Sequence, residues 1–332
     1  MLAAMKAIVQ IPCFNEEATL PATLADLPRS LPGVDRVEWM VVDDGSSDRT
    51  AEVARELGVD HVIRLPYNQG LARAFMAGLV AAVERGADVI VNTDADNQYR
   101  GSDIERLVRP VIEGAADIVV GARPISTISH FSPLKRLLQR LGSRVVRGLS
   151  GTSVRDAPSG FRAFSADAAL RLNVFSAYTY TLETIIQAGH TGLRVVDVPI
   201  DVNPPTRESR LIRSLPSYLR KSVVALFGAY TIYRPTRLFG GLAVAFLLPA
   251  AVLAGRYLYY VAIGEGGGHI QSVIASGVLA IAGLFMIAIG VVAHLLAINR
   301  RLLEEIRYLG RRRVLPPRED SAQRPLARSA RG

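Results

Sequence analysis

Two long apolar stretches near the C-terminus, Leu238 to Ile263 and Ile270 to Ile298, constrain this chain more than any other feature. Each exceeds the roughly 20 residues a helix needs to cross a bilayer's hydrocarbon core. Only GEGGGH, residues 264 to 269, separates them, so the pattern predicts a two-helix membrane hairpin. Arg234 and Arg237 precede the first stretch, and Arg300, Arg301 and Arg311 to Arg313 follow the second. Arginine beyond both outer ends predicts a multi-pass protein of the cell membrane with both termini cytoplasmic. Arg256, beside Tyr257, Tyr259 and Tyr260, is expected to snorkel into an aromatic belt at the other interface.

The net charge of +9 would suit a nucleic-acid binder if it covered one face. Instead, residues 205 to 237 and residues 299 to 332 each carry +6, which leaves −3 for the rest. Basic residues that flank apolar spans point to anionic membrane lipids and away from nucleic acid. Cys13 is the single cysteine, which excludes an internal disulfide and a multi-cysteine metal site. The apolar run before Pro12 is too short for a cleavable signal peptide, so the first domain is expected to stay in the cytosol.

That first domain alternates short β-type runs with helical patterns. Strands are expected at Lys6 to Ile11, Glu38 to Val42, His61 to Leu65, Asp88 to Asn92 and Asp117 to Gly121, and helices at Glu17 to Leu27, Asp48 to Leu57, Gly70 to Arg85 and Ser102 to Glu113. Such alternation predicts an α/β fold with a mostly parallel, Rossmann-like sheet, whose ligands bind beyond the carboxyl ends of the strands. Those ends are polar: Asn15 and Glu16, then Asp43 and Asp44, then Asp94, Asp96 and Gln98, then Arg123. In VVDDGSSD, residues 41 to 48, a strand ends on two carboxylates and a turn able to cap the next helix, and only one carboxylate can face a cleft while the strand stays extended. In TDADNQY, residues 93 to 99, the i, i+2 spacing puts Asp94, Asp96 and Gln98 on one side of an extended segment. Oxygen ligands of this kind suit Mg²⁺ or Mn²⁺ bridging a diphosphate.

IPCFNEE (11 to 17), VVDDGSSD, TDADNQY, GAR (121 to 123) and DAPSGFRAF (156 to 164), in this order, resemble family 2 glycosyltransferases of the GT-A fold. More narrowly they are similar to dolichyl-phosphate mannose synthases and bacterial polyprenyl-phosphate glycosyltransferases, whose two-helix subgroup the hairpin also resembles. The resemblance implies that Pro12, Asn15, Glu16 and Asp44 line the pocket of a nucleotide-sugar donor, with Arg73 near its phosphates. By the same resemblance Asp96 and Gln98 hold the metal and Asp94 bridges metal and nucleotide. Asp156 is the candidate for positioning or deprotonating a polyprenyl-phosphate acceptor, or else it orders its loop by accepting backbone N–H bonds or pairing with Arg162. Arg123 and Arg136 are further candidates for phosphate contact.

TRESRLIRS, residues 206 to 214, resembles the family's basic motif for the lipid phosphate, with Arg207 where glycine is common and Arg210 where lysine is. Arginine can clamp phosphate with two bonds, so the role survives the change. The expected organisation is a catalytic domain over 1–205, interfacial amphipathic helices over 206–237, two spans over 238–298, and a basic tail over 299–332 whose composition predicts disorder. A UDP-sugar donor, inversion at the anomeric carbon and a homotetramer are expectations of the resemblance alone. A polysaccharide synthase would carry a QxxRW motif, yet the one tryptophan, Trp39, lies in the second strand. A non-catalytic scaffold or regulator on the same fold would be favoured by loss of Asp94, Asp96 or Gln98, and all three are present.

Overall fold

The computed structural model describes residues 4–124, 133–174, 180–204, 224, 227, 228 and 230–314, except for the side chains of 133–141 and 314. The chain divides into two compact units, Met1–Leu211 with Arg307–Gly332, and Ile212–Ile306.

The first unit is built on seven strands: β1 (Lys6–Cys13), β2 (Arg36–Asp43), β3 (His61–Arg64), β4 (Val89–Asn92), β5 (Ile118–Ala122), β6 (Arg162–Ser165) and β7 (Val195–Pro199). Their order in the sheet is β3-β2-β1-β4-β6-β5-β7. β1 pairs in parallel with β2 and β4, and only β6 runs antiparallel, wedged between β4 and β5. The strands β1, β2 and β4 are almost continuously buried because helices cover both faces, which is why they read as apolar runs without alternation. On one face α1 (Leu20–Asp26) and α4 (Ile104–Ile112) contribute Leu20, Leu24, Leu107 and Val108 to a core with Val9, Ile11, Val41 and Val91. On the other, α3 (Leu71–Glu84) buries Phe75 and Leu79. Phe75 stacks on Tyr180, the first residue of α7 (Tyr180–His190), with ring centroids 3.9 Å apart. The described residues of this part also form α2 (Thr50–Glu56), α5 (Pro133–Ser150) and α6 (Ala166–Arg171).

The five expected strands and the helices between them are present, with shifted ends. The helix expected from Glu17 begins at Leu20, with Pro21 in its first turn, where a missing N–H costs nothing. Glu16 and Glu17 are instead engaged in the loop before it: Glu17 N donates to Asp48 Oδ2 at 3.2 Å and its carboxylate accepts from Arg49 N at 2.8 Å, and the bonds of Glu16 are described below. The expectation did not include β6, a four-residue strand that starts on an arginine, or β7 at the sheet edge.

In the second unit α8 (Pro235–Ala262) and α9 are both long and apolar enough to cross a membrane; α9 spans Ile270–Val314 and its last turns group with the first unit. Small residues let the two helices approach. Ala243 and Ala250 of α8 are buried, Ser276 Oγ donates to the Ala250 carbonyl at 2.8 Å, and a Cβ on Gly283 would lie 2.6 Å from Leu247 Cγ. The remaining surface exposes Val244, Leu248, Ile274, Val278 and Phe285, the composition expected of a lipid-facing wall. At the hairpin tip the Arg256 guanidinium lies 5.8 Å from the Tyr260 ring, and Tyr260 stacks on His269. The second helix does not end near 298. Its extension is amphipathic and is supported by an Arg300–Glu304 pair one turn apart at 2.8 Å. Of the expected interfacial helices, residues 206–223 lie outside the described residues, as does the tail from 315.

Candidate active site

Parallel register sets Cys13 beside Asp43 and Gln10 beside Asn92, so the loops that leave β1, β2 and β4 emerge side by side. The first two loops are laced together. Asn15, in the left-handed region at φ 55°, accepts from Ser47 N with Oδ1, and its own N–H donates to Ser46 Oγ, both at 2.9 Å. Glu16 N donates to Thr50 Oγ1 at 2.8 Å, and the Glu16 carboxylate accepts from Thr19 Oγ1 at 2.6 Å. Pro12 is buried beneath this lacing.

Both carboxylates of the second loop are also engaged. Asp43 accepts from Ser46 N at 2.9 Å and lies 3.3 Å from Arg64 Nε. Asp44 accepts from Gln69 N and Gly70 N, each at 2.8 Å, which ties the end of β2 to the start of α3. Burial raises the Asp44 pKa, with the Asp43 charge adding to the effect and the two backbone N–H bonds opposing it. Gly45, between these acids and Tyr67, has φ 69°, and a Cβ there would sit 2.5 Å from the Tyr67 carbonyl carbon. Only glycine fits. Arg73 stands exposed in the first turn of α3.

The loop after β4 is different. Asp94 to Gln98 is not an extended row: the chain turns at Ala95 to Asn97, Asn97 takes φ 53°, and Asp96 Oδ1 accepts from Gln98 N at 3.1 Å. The short polar side chains permit a turn that alternation alone would not reveal. Thr23 of α1 holds the Ala95 carbonyl between the two acids at 3.0 Å. No donor among the described residues engages the Asp94 carboxylate. Burial pushes its pKa up to about 7, and the charges of Asp96 and Glu16 add to that push against Arg123 and Arg162. Asp94 and Asp96 lie near enough for their charges to interact, in a loop that also carries Gln98, and oxygen donors of this kind would fit a divalent ion. Among the described residues no cluster of three or more His, Cys, Asp or Glu forms a complete metal cage.

Opposite Asp94 lies the loop of Asp156 to Phe161. Asp156 is fully buried, and both its oxygens belong to Arg123: Nε at 2.7 Å, Nη2 at 3.0 Å and the backbone N–H at 3.2 Å. Burial works against the Arg123 charge, but Asp156, with Tyr99 and Asp94 behind it, more than restores it, so Arg123 stays protonated. Asp156 therefore does not pair with Arg162, one of the roles anticipated for it, because the β6 antiparallel turn points Arg162 inward. There the guanidinium donates to the carbonyls of Ala157 and Ser159 at 2.7 and 2.8 Å and to Thr184 Oγ1 at 2.6 Å. This bonding shapes the loop, while burial lowers the Arg162 pKa to about 10. A Cβ on Gly160 would stand 3.1 Å from Asp94 Oδ1, so this glycine lets the loop close on the acid.

Sequence reasoning missed the buried polar chain behind the site. Gln10 Nε2 donates to Asn92 Oδ1 at 2.8 Å, and Asn92 Nδ2 reaches both the Gly160 carbonyl and Tyr180 Oη at 2.9 Å. The available signal was a polar residue inside each of two otherwise apolar strands, AIVQI and VIVN. The side chain of Arg136, together with Arg207 and Arg210, lies outside the described residues.

Residues 8–172 match the family model for glycosyl transferase family 2. The undecaprenyl-phosphate mannosyltransferase of Micrococcus luteus is 31% identical over 206 residues, covering 59% of this chain and 83% of that protein. A UDP-N-acetylglucosamine–dolichyl-phosphate N-acetylglucosaminyltransferase of Methanococcus voltae is 32% identical over 215 residues, covering 57% and 82% respectively. Glucosyl-3-phosphoglycerate synthase from Mycobacterium tuberculosis, solved with Mn²⁺, UDP-glucose and phosphoglyceric acid, has the same fold, with a TM-score of 0.55 at 20% identity over 68% of this chain and 80% of that one. With the strand-end carboxylates, the GT-A sheet and these relatives in agreement, the chain belongs to glycosyltransferase family 2 and is a glycosyltransferase that carries two helices long and apolar enough to cross a membrane.

Proposed function

We propose that this enzyme transfers a sugar, with inversion, from a UDP-sugar to a polyprenyl phosphate at the cytoplasmic face of the cell membrane. The observation that carries the reading is the Asp94 carboxylate, which no donor among the described residues engages and whose charge burial and Asp96 disfavour, opposite the loop whose Asp156 holds a charged Arg123. One suits a metal-bound diphosphate and the other an acceptor or donor phosphate. The relatives named above support the lipid acceptor and the donor class. The apolar hairpin supports a membrane location, and its flanking arginines support cytoplasmic termini.

On this reading Pro12, Asn15, Glu16 and Asp44 shape the nucleotide pocket, with Arg73 at its phosphate end. Asp94, Asp96 and Gln98 hold Mg²⁺ or Mn²⁺, which when bound neutralises charge developing on the leaving diphosphate. An acceptor phosphate oxygen attacks the anomeric carbon, the bond to the nucleotide diphosphate breaks, and UDP departs with the electron pair. The attacking oxygen is already anionic at neutral pH and needs no base. Asp156 is then a positioning residue, because both its oxygens hold Arg123 in place. Arg136, Arg207 and Arg210 supply further phosphate contacts, anionic lipids engage the basic flanks, and the protomers assemble as a homotetramer.

The test is transfer of radiolabelled sugar from a panel of UDP- and GDP-sugars into organic-extractable lipid, with purified enzyme and undecaprenyl phosphate. A product from a UDP-sugar is expected. A product only from GDP-sugars overturns the donor class, and water-soluble products alone overturn the acceptor.

A further inference from the structure

We propose that Asn203 is a positioning residue for the metal site: it fixes the peptide on each side of Gln98 and so aims that side chain at the ion. The inference rests on the reading of Asp94, Asp96 and Gln98 as metal ligands. Asn203 lies four residues beyond β7, 105 positions from Gln98 in sequence, yet it makes two bonds to this loop. Its backbone N–H donates to the Gln98 carbonyl at 2.9 Å, and Nδ2 donates to the Asn97 carbonyl at 3.1 Å. Its Oδ1 accepts from Arg100 Nε at 3.3 Å, so one side chain grips the loop from both ends. A bridge between Tyr99 and Val202 and the Arg100–Asp201 pair at 3.6 Å hold the same two segments together.

The loop needs such a brace. Asn97 occupies the left-handed region, a conformation that a non-glycine residue holds at a cost, and its Oδ1 is buried without a hydrogen-bond partner. Its own contacts therefore do not explain why the turn stays closed. Without the brace Asn97 can relax toward φ below zero, which would swing the next residue, Gln98, relative to Asp96. The first acids of the motif are secured separately, through Thr23 on the Ala95 carbonyl and Gly160 against Asp94. Loss of Asn203 should accordingly affect the metal more than the nucleotide.

The experiment is titration of UDP into the purified full-length enzyme with Mn²⁺ or with EDTA, for the wild type, Asn203→Ala and Asn203→Asp. Direct Mn²⁺ titration in the presence of UDP, read by electron paramagnetic resonance, accompanies it. Asn203→Asp is nearly isosteric and keeps an acceptor for Arg100, but it cannot donate to Asn97. In both variants the gain in UDP affinity given by Mn²⁺ should fall about fivefold, as one lost hydrogen bond implies, while affinity in EDTA changes less than about twofold. An unchanged Mn²⁺ gain in both variants overturns the proposal, and so does an equal loss with and without metal. A wild type that gains nothing from Mn²⁺ removes the metal reading itself, an outcome distinct from either.

Discussion

Two acidic pairs stand at neighbouring strand ends of one sheet, and the protein treats them in opposite ways. Asp43 and Asp44 are engaged from within: Ser46, Gln69 and Gly70 donate backbone N–H groups to three of their oxygens, and Arg64 places a cation beside the fourth. Asp94 has no donor among the described residues, and burial with the charges of Asp96 and Glu16 outweighs those of Arg123 and Arg162. Like residues in like positions thus do different work. The first pair stitches β2 to α3, with both Asp44 oxygens bonded to backbone N–H groups. In the second, the Asp94 carboxylate keeps its oxygens free of donors among the described residues, which on the proposed reading leaves them for a cation.

The comparison can be broken at either pair. The largest stability effect is expected at an intermediate case, Asp156, whose partner is a buried cation. Asp156→Ala leaves Arg123 charged and unpaired, and should cost about 3–5 kcal/mol. Urea unfolding followed by Trp39 fluorescence measures this, since the sole tryptophan sits in β2. At the metal pair, Asp96→Ala should lower kcat/KM for metal-dependent transfer about 10²–10³-fold, the scale of losing one preorganised electrostatic group. The same variant should unfold within about 1 kcal/mol of wild type in EDTA, because the lost bond to Gln98 N is offset by relief of the repulsion with Asp94. Asp44→Ala should do the reverse, losing about 2–3 kcal/mol of stability with the two N–H bonds to its carboxylate, whether or not metal is present.

The smallest effect concerns pH and a fourth acid, at the opposite end of the sheet. Glu38 is buried among Lys6 at 2.7 Å, Arg36 at 2.6 Å and His61 at 2.8 Å. Burial opposes its charge, but bonds to Lys6 and His61 and the nearby cations outweigh that and lower its pKa. A carboxyl depressed in the folded state binds fewer protons there than in the unfolded chain. Its contribution is therefore complete above the ordinary glutamate pKa of about 4.3 and disappears as pH falls through the lower folded value. Glu38→Gln should make the acid limb of the urea midpoint shallower, by about 1 kcal/mol in total.

Much of this was legible in the sequence because strand ends in a parallel sheet are where polar residues stand out against apolar runs. VVDD, TDAD and GAR could be placed at one rim before any coordinates, and the hairpin could be read from length and hydropathy. What stayed hidden depends on distant partners. Nothing in the spacing of Asp156 and Arg123, 33 residues apart, shows that they form one buried pair, since the antiparallel return of β6 brings them together. The turn at Asn97 also escaped notice, because a period-2 pattern and a tight polar turn look alike over five residues. The continuation of α9 to Val314 was masked by its charge, although Arg300 and Glu304 are spaced as a helix requires.

The most direct test is a side-by-side rate measurement. Single-turnover transfer of labelled sugar into undecaprenyl phosphate is followed for wild type, Asp96→Ala and Asp44→Asn, each with Mn²⁺ and with EDTA. The account expects rapid lipid product from wild type only with Mn²⁺, a loss of about 10²–10³-fold in Asp96→Ala, and a metal dependence in Asp44→Asn like that of wild type. Equal rates with Mn²⁺ and EDTA in the wild type, or full metal-dependent transfer by Asp96→Ala, would contradict it.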